Sequence, residues 1–199
     1  MEQYVTADTH FFHRNIIKYT GRPFEYSEEG INEMNELMGD MIASTCKSGD
    51  TLYHLGDVYF GGKAKGEDVA KQLGRSSCRK VLVIGNHDNL NSWPDTLLCL
   101  FDQILDAKII SKHRTEIFMS HRPMMIDEYW RGDIINLHGH VHGIIHNPPG
   151  RLDVGVDPAW KHFGVPRPFE LSEAIRMALE DLPRTHIPPD EQITPKNEC

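Results

Sequence analysis

Val81-Leu82-Val83-Ile84-Gly85-Asn86-His87-Asp88 runs from four apolar residues directly into a glycine, an amide, an imidazole and a carboxylate. A short, fully apolar run closed by turn residues reads as a buried strand. The same pattern recurs on both sides of it. Gln3 to Ala7 reads as a strand that runs into Asp8-Thr9-His10, and Thr51 to Leu55 as one that ends at Gly56-Asp57. Further on, Thr115 to Ser120 ends at His121, and Ile134 to Leu137 leads to Gly139-His140-Val141-His142. Gln103 to Ile110 and Arg151 to Val156 read as two more strands.

Helical segments separate these strands. After the break at Arg22-Pro23, Ser27 offers a helix cap, and Ile31, Met34, Leu37, Met38, Met41 and Ile42 repeat at helical spacing. Those methionines read as core. A short helix is expected around Asp68 to Leu73, another from Trp93-Pro94 to Leu100, and a C-terminal one over Leu171 to Leu182. Alternating strands and helices make the class α/β. The expected organisation is a single domain over 1–182, followed by a polar, proline-rich tail over 183–199 that lacks periodicity and is expected to be poorly ordered.

In α/β sheets, ligands gather beyond the carboxyl ends of the strands. Asp8, His10, Asp57, Asn86, His121, His140 and His142 all follow such ends and are therefore expected to converge on one edge. Each is a competent metal ligand through a carboxylate, an amide oxygen or a neutral imidazole. Taken singly, an Asp-x-His or a Gly-Asp is an ordinary turn. The ordered set is much more specific: DTH at 8–10, GD at 56–57, GNHD at 85–88, SHRP at 120–123 and GHVH at 139–142.

That set resembles the calcineurin-like metallophosphoesterase superfamily, over Asp8 to His142. It is most similar to the small, uncapped bacterial and phage-encoded members, which share the flavour of DTHFFHRNI and YHLGD. The resemblance implies a two-sheet β-sandwich flanked by helices, a four-layer fold. It also implies two divalent cations, manganese in the first place, with iron, zinc, nickel or cobalt as alternatives. One cation would be held by Asp8, His10, Asp57 and His142, the other by Asp57, Asn86, His121 and His140, with Asp57 bridging. His87 matches the acid that steadies the phosphate and protonates the leaving oxygen.

The expected activity is hydrolysis of a small phosphodiester or nucleotide-like substrate. The alternatives are a phosphomonoesterase with the same core and a catalytically inactive metal-binding scaffold. Val58-Tyr59-Phe60-Gly61 follows Gly56-Asp57 in place of the GDxxDRG of Ser/Thr protein phosphatases, which argues against a phosphoprotein substrate. The lack of a large insertion argues against a nuclease of the DNA-repair type. Arg122, His13 and Asn15 are the candidate substrate contacts, with Arg14 a further basic group near the first motif. His54 and His138 read as hydrogen-bonded scaffold. His113, His146, His162 and His186 fit no pattern.

The whole-chain balance agrees with this reading. With 199 residues and a net charge of -8, the chain can bury a sizeable core, and it lacks the basic stripe of a nucleic-acid coat. An acidic protein can still take a phosphate substrate, because bound cations reverse the local field. Cys46, Cys78, Cys99 and Cys199 form no C-x-x-C pair and read as reduced thiols of a cytoplasmic protein. The N-terminus carries no signal-peptide pattern, and no apolar run reaches the ~20 residues of a membrane helix.

Overall fold

The structure is a computed structural model, and it describes residues 1–112, 114–124 and 134–180. His113, His186, Cys199 and the proline-rich tail lie outside the described residues.

Two sheets pack face to face. The first contains β1 (Gln3–Thr6), β2 (Thr51–His54), β3 (Arg79–Val83), β4 (Gln103–Leu105) and β9 (Phe169–Glu170), in the order β4-β3-β2-β1-β9. Strands β1 to β4 are parallel, and β9 closes the edge antiparallel to β1. The second sheet contains β5 (Lys108–Lys112), β6 (Thr115–Met119), β7 (Ile134–His138) and β8 (Arg151–Asp153), in that order, with β6, β7 and β8 parallel. Val5, Tyr53, Leu55, Val81 and Val83 of the first sheet share one buried cluster with Ile117, Met119, Ile135 and Leu137 of the second. Alternate side chains of β2 and β3, Leu52 and Leu82, point to the other face. There they join Met34, Met38 and Ile42 of α2 (Glu28–Thr45) and Val69 and Leu73 of α3 (Lys63–Gly74). Burial on both faces explains why β3 is apolar from Val81 to Val83.

The helix expected around Ile31 to Ile42 is α2, and Ser27 caps it by accepting from the Gly30 N–H at 3.1 Å. The α4 turn (Asp95–Leu98) starts after Pro94, and α6 (Leu171–Glu180) packs against β1, β7, β8 and β9. Two expected strands are corrected. Gln103 to Ile110 is two strands in different sheets, because the chain stops pairing with β3 after Leu105 and crosses at Asp106-Ala107 to pair with β6. Arg151 to Val156 is a strand only to Asp153. Val156 instead donates its N–H to the Ala7 carbonyl and opens α5 (Val156–Phe163), with Pro158 in its first turn, where a proline costs no hydrogen bond. Helices α1 (Arg14–Thr20) and α5 carry no long apolar stripe and were not expected. No helix among the described residues is long and apolar enough to cross a membrane.

Candidate active site

All seven expected ligands sit just past carboxyl ends of parallel strands: β1, β2 and β3 in one sheet, β6 and β7 in the other. The two sheets therefore bring their ends to one cleft. Ligand atoms of Asp8, His10 and His142 lie within 4.8 Å of one another, and so do those of Asp57, His121 and His140. The Asn86 amide oxygen stands 3.0 Å from His121 Nε2 and joins the second group. Asp57 Oδ2 lies between the groups, 3.6 Å from His10 Nε2 and 3.4 Å from His121 Nε2.

The backbone is bent to achieve this. Asp8, His10, Asp57, His140 and His142 all adopt left-handed φ, at 56°, 47°, 55°, 71° and 51°. A non-glycine residue there costs on the order of 1–3 kcal/mol, and such residues cluster at functional sites. Two glycines make room for the crowding. A Cβ at Gly85 would lie 2.3 Å from the Asp57 N and Oδ1, and one at Gly139 would lie 2.5 Å from Asp8 Oδ2.

Electrostatics leave this cluster short of partners. Asp8 Oδ1 and His10 Nε2 are buried without a hydrogen bond. Burial, together with the like charges of Asp153 and Asp57, pushes the Asp8 carboxyl well above the usual range. Burial also raises Asp57, but the hydrogen bond and charge of His121, the His87 N–H and His10 outweigh it and hold Asp57 low. Burial and the Arg22 charge push His10 down to about 2, and burial with the Arg122 charge pushes His140 down to about 4. Neutral imidazoles beside carboxylates, with orphaned buried polar atoms, fit a divalent cation and are costly without one.

Other side chains aim these groups. His121 Nδ1 bonds the Leu55 carbonyl at 2.8 Å, which turns Nε2 toward Asp57. The His140 N–H donates to Asp8 Oδ2 at 2.8 Å. His142 Nδ1 meets Asp157 Oδ2 at 2.7 Å, and Arg22 donates to both oxygens of Asp157 and to the Asp8 and Thr9 carbonyls. Asp88 accepts from the N–H groups of Asp57, Val58 and Gly85 and so ties the second motif to the third. Asp157, Arg22 and Asp88 escaped the sequence reading. Only Asp88 had a signal, as the last residue of the quoted GNHD; Arg22 and Asp157 are 135 residues apart and meet through the fold.

The remaining expected residues fall as follows. His87 is 43% exposed at the mouth, its Nε2 is 3.9 Å from Asp57 Oδ2, and its N–H donates to Asp57 Oδ1 at 2.8 Å. Arg122 contacts His140 Nε2 at 2.7 Å and the Asn86 oxygen at 3.3 Å, beside a depression of about 340 Å³ that includes Gly85, Asp106 and Ser120. His13 Nδ1 is 3.4 Å from His10 Nδ1. Asn15 is exposed on α1 and accepts from the Tyr26 hydroxyl, and Arg14 donates to the Tyr26 carbonyl. His54 bonds Thr9 at 3.0 Å and His138 bonds Asn147 at 2.9 Å, the scaffold contacts expected of them. His146 and His162 line a separate cavity of about 540 Å³ together with residues of α5 and α6.

Asp157→Asn is expected to weaken divalent-metal affinity by about 10–100-fold, the usual effect of losing a carboxylate behind a ligating histidine. Calorimetric titration with manganese measures this, with a melting curve as control because Asp157 also holds Arg22. Unchanged affinity would show that His142 needs no such support.

The sequence pattern of the calcineurin-like phosphoesterase family matches residues 1–162. An uncharacterised protein of Methanocaldococcus jannaschii is 35% identical over 85 residues, a match that covers 43% of this chain and 46% of that protein, so the chain matches about half the length of this curated relative. A crystal structure of a protein of unknown function from Aquifex aeolicus superposes with a TM-score of 0.65 at 26% identity, over 88% of this chain and 98% of that one. An archaeal phosphodiesterase gives a distant likeness, with a TM-score of 0.40 at 17% identity over 78% of this chain and 83% of that one. With most of its length matched by the family pattern, and with the family's motifs gathered at one cleft, the chain belongs to the calcineurin-like phosphoesterase family.

Proposed function

We propose that the protein hydrolyses small or nucleotide-like phosphodiesters with two divalent cations that share Asp57. The observation that carries this reading is the place of Asp57 Oδ2, within 3.6 Å of an imidazole nitrogen of one group and 3.4 Å of one of the other. Asp8, His10, Asp57 and His142 would hold one ion, and Asp57, Asn86, His121 and His140 the second. Cations bound there supply Lewis acidity to the phosphoryl oxygens and acidity to the attacking water, and manganese suits such mixed imidazole and carboxylate sites.

The chain's own groups do the rest. Asp57, held ionised, provides the shared negative charge. His87, exposed at the open side of Asp57, would donate a proton to the departing oxygen. Arg122 stands at the lip formed by Asn86 and His140, and its guanidinium would turn to a non-bridging phosphate oxygen once those two ligand atoms hold a cation. Among the described residues it is the one cationic side chain that contacts a candidate ligand side chain. A single guanidinium matches the one negative charge of a diester better than the two of a monoester. Free thiols at Cys46, Cys78 and Cys99 support a reducing, cytoplasmic setting.

The test is elemental analysis followed by parallel assays on bis-p-nitrophenyl phosphate and p-nitrophenyl phosphate with manganese. Two ions per chain and faster turnover of the diester are expected. Arg122→Ala should raise KM more than it lowers kcat, as loss of uniform binding does. A clear preference for the monoester would replace the diesterase reading with a monoesterase one. Full metal occupancy with no hydrolysis of either would favour an inactive scaffold.

A further inference from the structure

Phosphate chemistry makes no use of the aromatic group beside this cleft. Phe60 lies three residues after Asp57 and is 52% exposed. A lone exposed apolar side chain needs no explanation, but this one is held in place and has company. Its N–H donates to the Phe11 carbonyl at 2.9 Å, and the Phe11 N–H donates to the Val58 carbonyl at 3.0 Å. Phe11 and Tyr59, both buried, pair in a short parallel bridge. The ring is therefore presented to solvent from a backbone fixed to the two loops that carry Asp8, His10 and Asp57.

The Phe60 ring stacks on His13, with centroids 4.6 Å apart and planes at 24°. It also stands edge-on to His87 at 6.3 Å. His13 reaches His10 at 5.2 Å, and Tyr19, 70% exposed, stands edge-on to His13 at 6.3 Å. His13 covers one face of Phe60, and the residue is still 52% exposed. Gly61 and Gly62 follow it and add no side chain beside it. The outcome is a flat apolar surface, backed by a second ring, on the same side of the cleft as the expected proton donor.

We propose that Phe60, backed by His13, is a stacking platform for a planar aromatic group carried by the phosphate ester, a nucleobase or an aryl ring, on the leaving-group side next to His87. The proposal rests on the phosphoesterase reading and deepens it. The cleft's ligands and Arg122 handle the phosphate alone and treat alkyl and aromatic esters alike. An exposed ring adjoining His87 discriminates between them, because π-faces of all bases and aryl groups stack on it with little dependence on their substituents.

The test uses two inert probes, phenylphosphonate and methylphosphonate, which share the phosphorus group and differ in the ring. Calorimetry on the manganese-loaded protein should give phenylphosphonate roughly 10-fold tighter binding than methylphosphonate, the scale of one stacking contact. Phe60→Ala should erase that difference and leave methylphosphonate affinity within about 2-fold, while Phe60→Trp should keep or enlarge it. Equal affinity of the two probes for the unaltered protein, binding of neither, or a preference that survives Phe60→Ala overturns the platform. So does a change of association state on gel filtration that accounts for the loss, which would make Phe60 an interface residue. Hydrolysis is read separately: if no ester is turned over while the probe preference follows Phe60, the phosphoesterase reading fails and the platform stands.

Discussion

Asp57→Asn is expected to strip metal from both ligand groups and to take turnover below detection. The carboxylate faces His10 on one side and His121 on the other, so its charge would act on both cations. A unit charge about 4 Å from another, at an effective dielectric of about 20, is worth roughly 4 kcal/mol. That corresponds to a loss of about 10³-fold in affinity at each site. The fold should survive, because the substitution is conservative in every other respect. Asparagine tolerates the left-handed backbone at φ 55°, its amide oxygen can still accept the His87 N–H, and the backbone N–H keeps its bond to Asp88. Metal content by elemental analysis and a melting curve of the metal-free protein separate loss of metal from loss of structure. Retention of full activity and both metals would overturn the assignment of Asp57 as the shared ligand.

His87→Ala has the next largest expected effect, and its signature is different. The seven ligands are complete without His87, and its side chain is nearly half exposed, so metal content and stability should match the parent protein. The backbone N–H that supports Asp57 is unaffected by the change. kcat should fall by about 10²–10⁴-fold, the usual contribution of a positioned general acid. A poor leaving group needs the proton and a good one does not. The loss should therefore be larger for an alkyl ester than for a p-nitrophenyl ester of the same phosphate. Loss of metal in this variant, or an equal loss for both leaving groups, would make His87 a ligand or a structural residue instead of the acid.

The residues expected as metal ligands could be singled out because each lies within a few residues of a recognisable strand. Period and apolarity mark the strand, and a carboxylate, amide or imidazole follows, after a glycine at Gly56, Gly85 and Gly139 and without one before Asp8 and His121. Asp8, Asp57 and Asn86 after β1, β2 and β3, and His121 and His140 after β6 and β7, obey that rule. The fold class was legible for the same reason. Two short helices were not: α1 and α5 are 7 and 8 residues long, too brief for a periodic apolar stripe to stand out, whereas the still shorter α4 was marked by the proline before it. The crossing at Asp106-Ala107 was also hidden. A chain that leaves one sheet and joins another keeps the same residue types on both sides, and only the pairing partners reveal the change.

By itself the sequence determined the list of chemically capable residues, their order and the strand ends that bear them, since those depend on local pattern. Tertiary structure alone decided how close they come to one another and which groups support them. Asp57 meets both His10 and His121 because two sheets end at one cleft. His142 is aimed by Asp157, and Asp157 is held by Arg22 from 135 residues away. Asn15, close to the first motif in sequence, pairs with Tyr26, whereas Phe60 stacks on His13 from a distant part of the chain. The physical reason is that side-chain direction and long-range contact are set by how packed layers meet, and that packing is a property of the whole chain that no local window of residues contains.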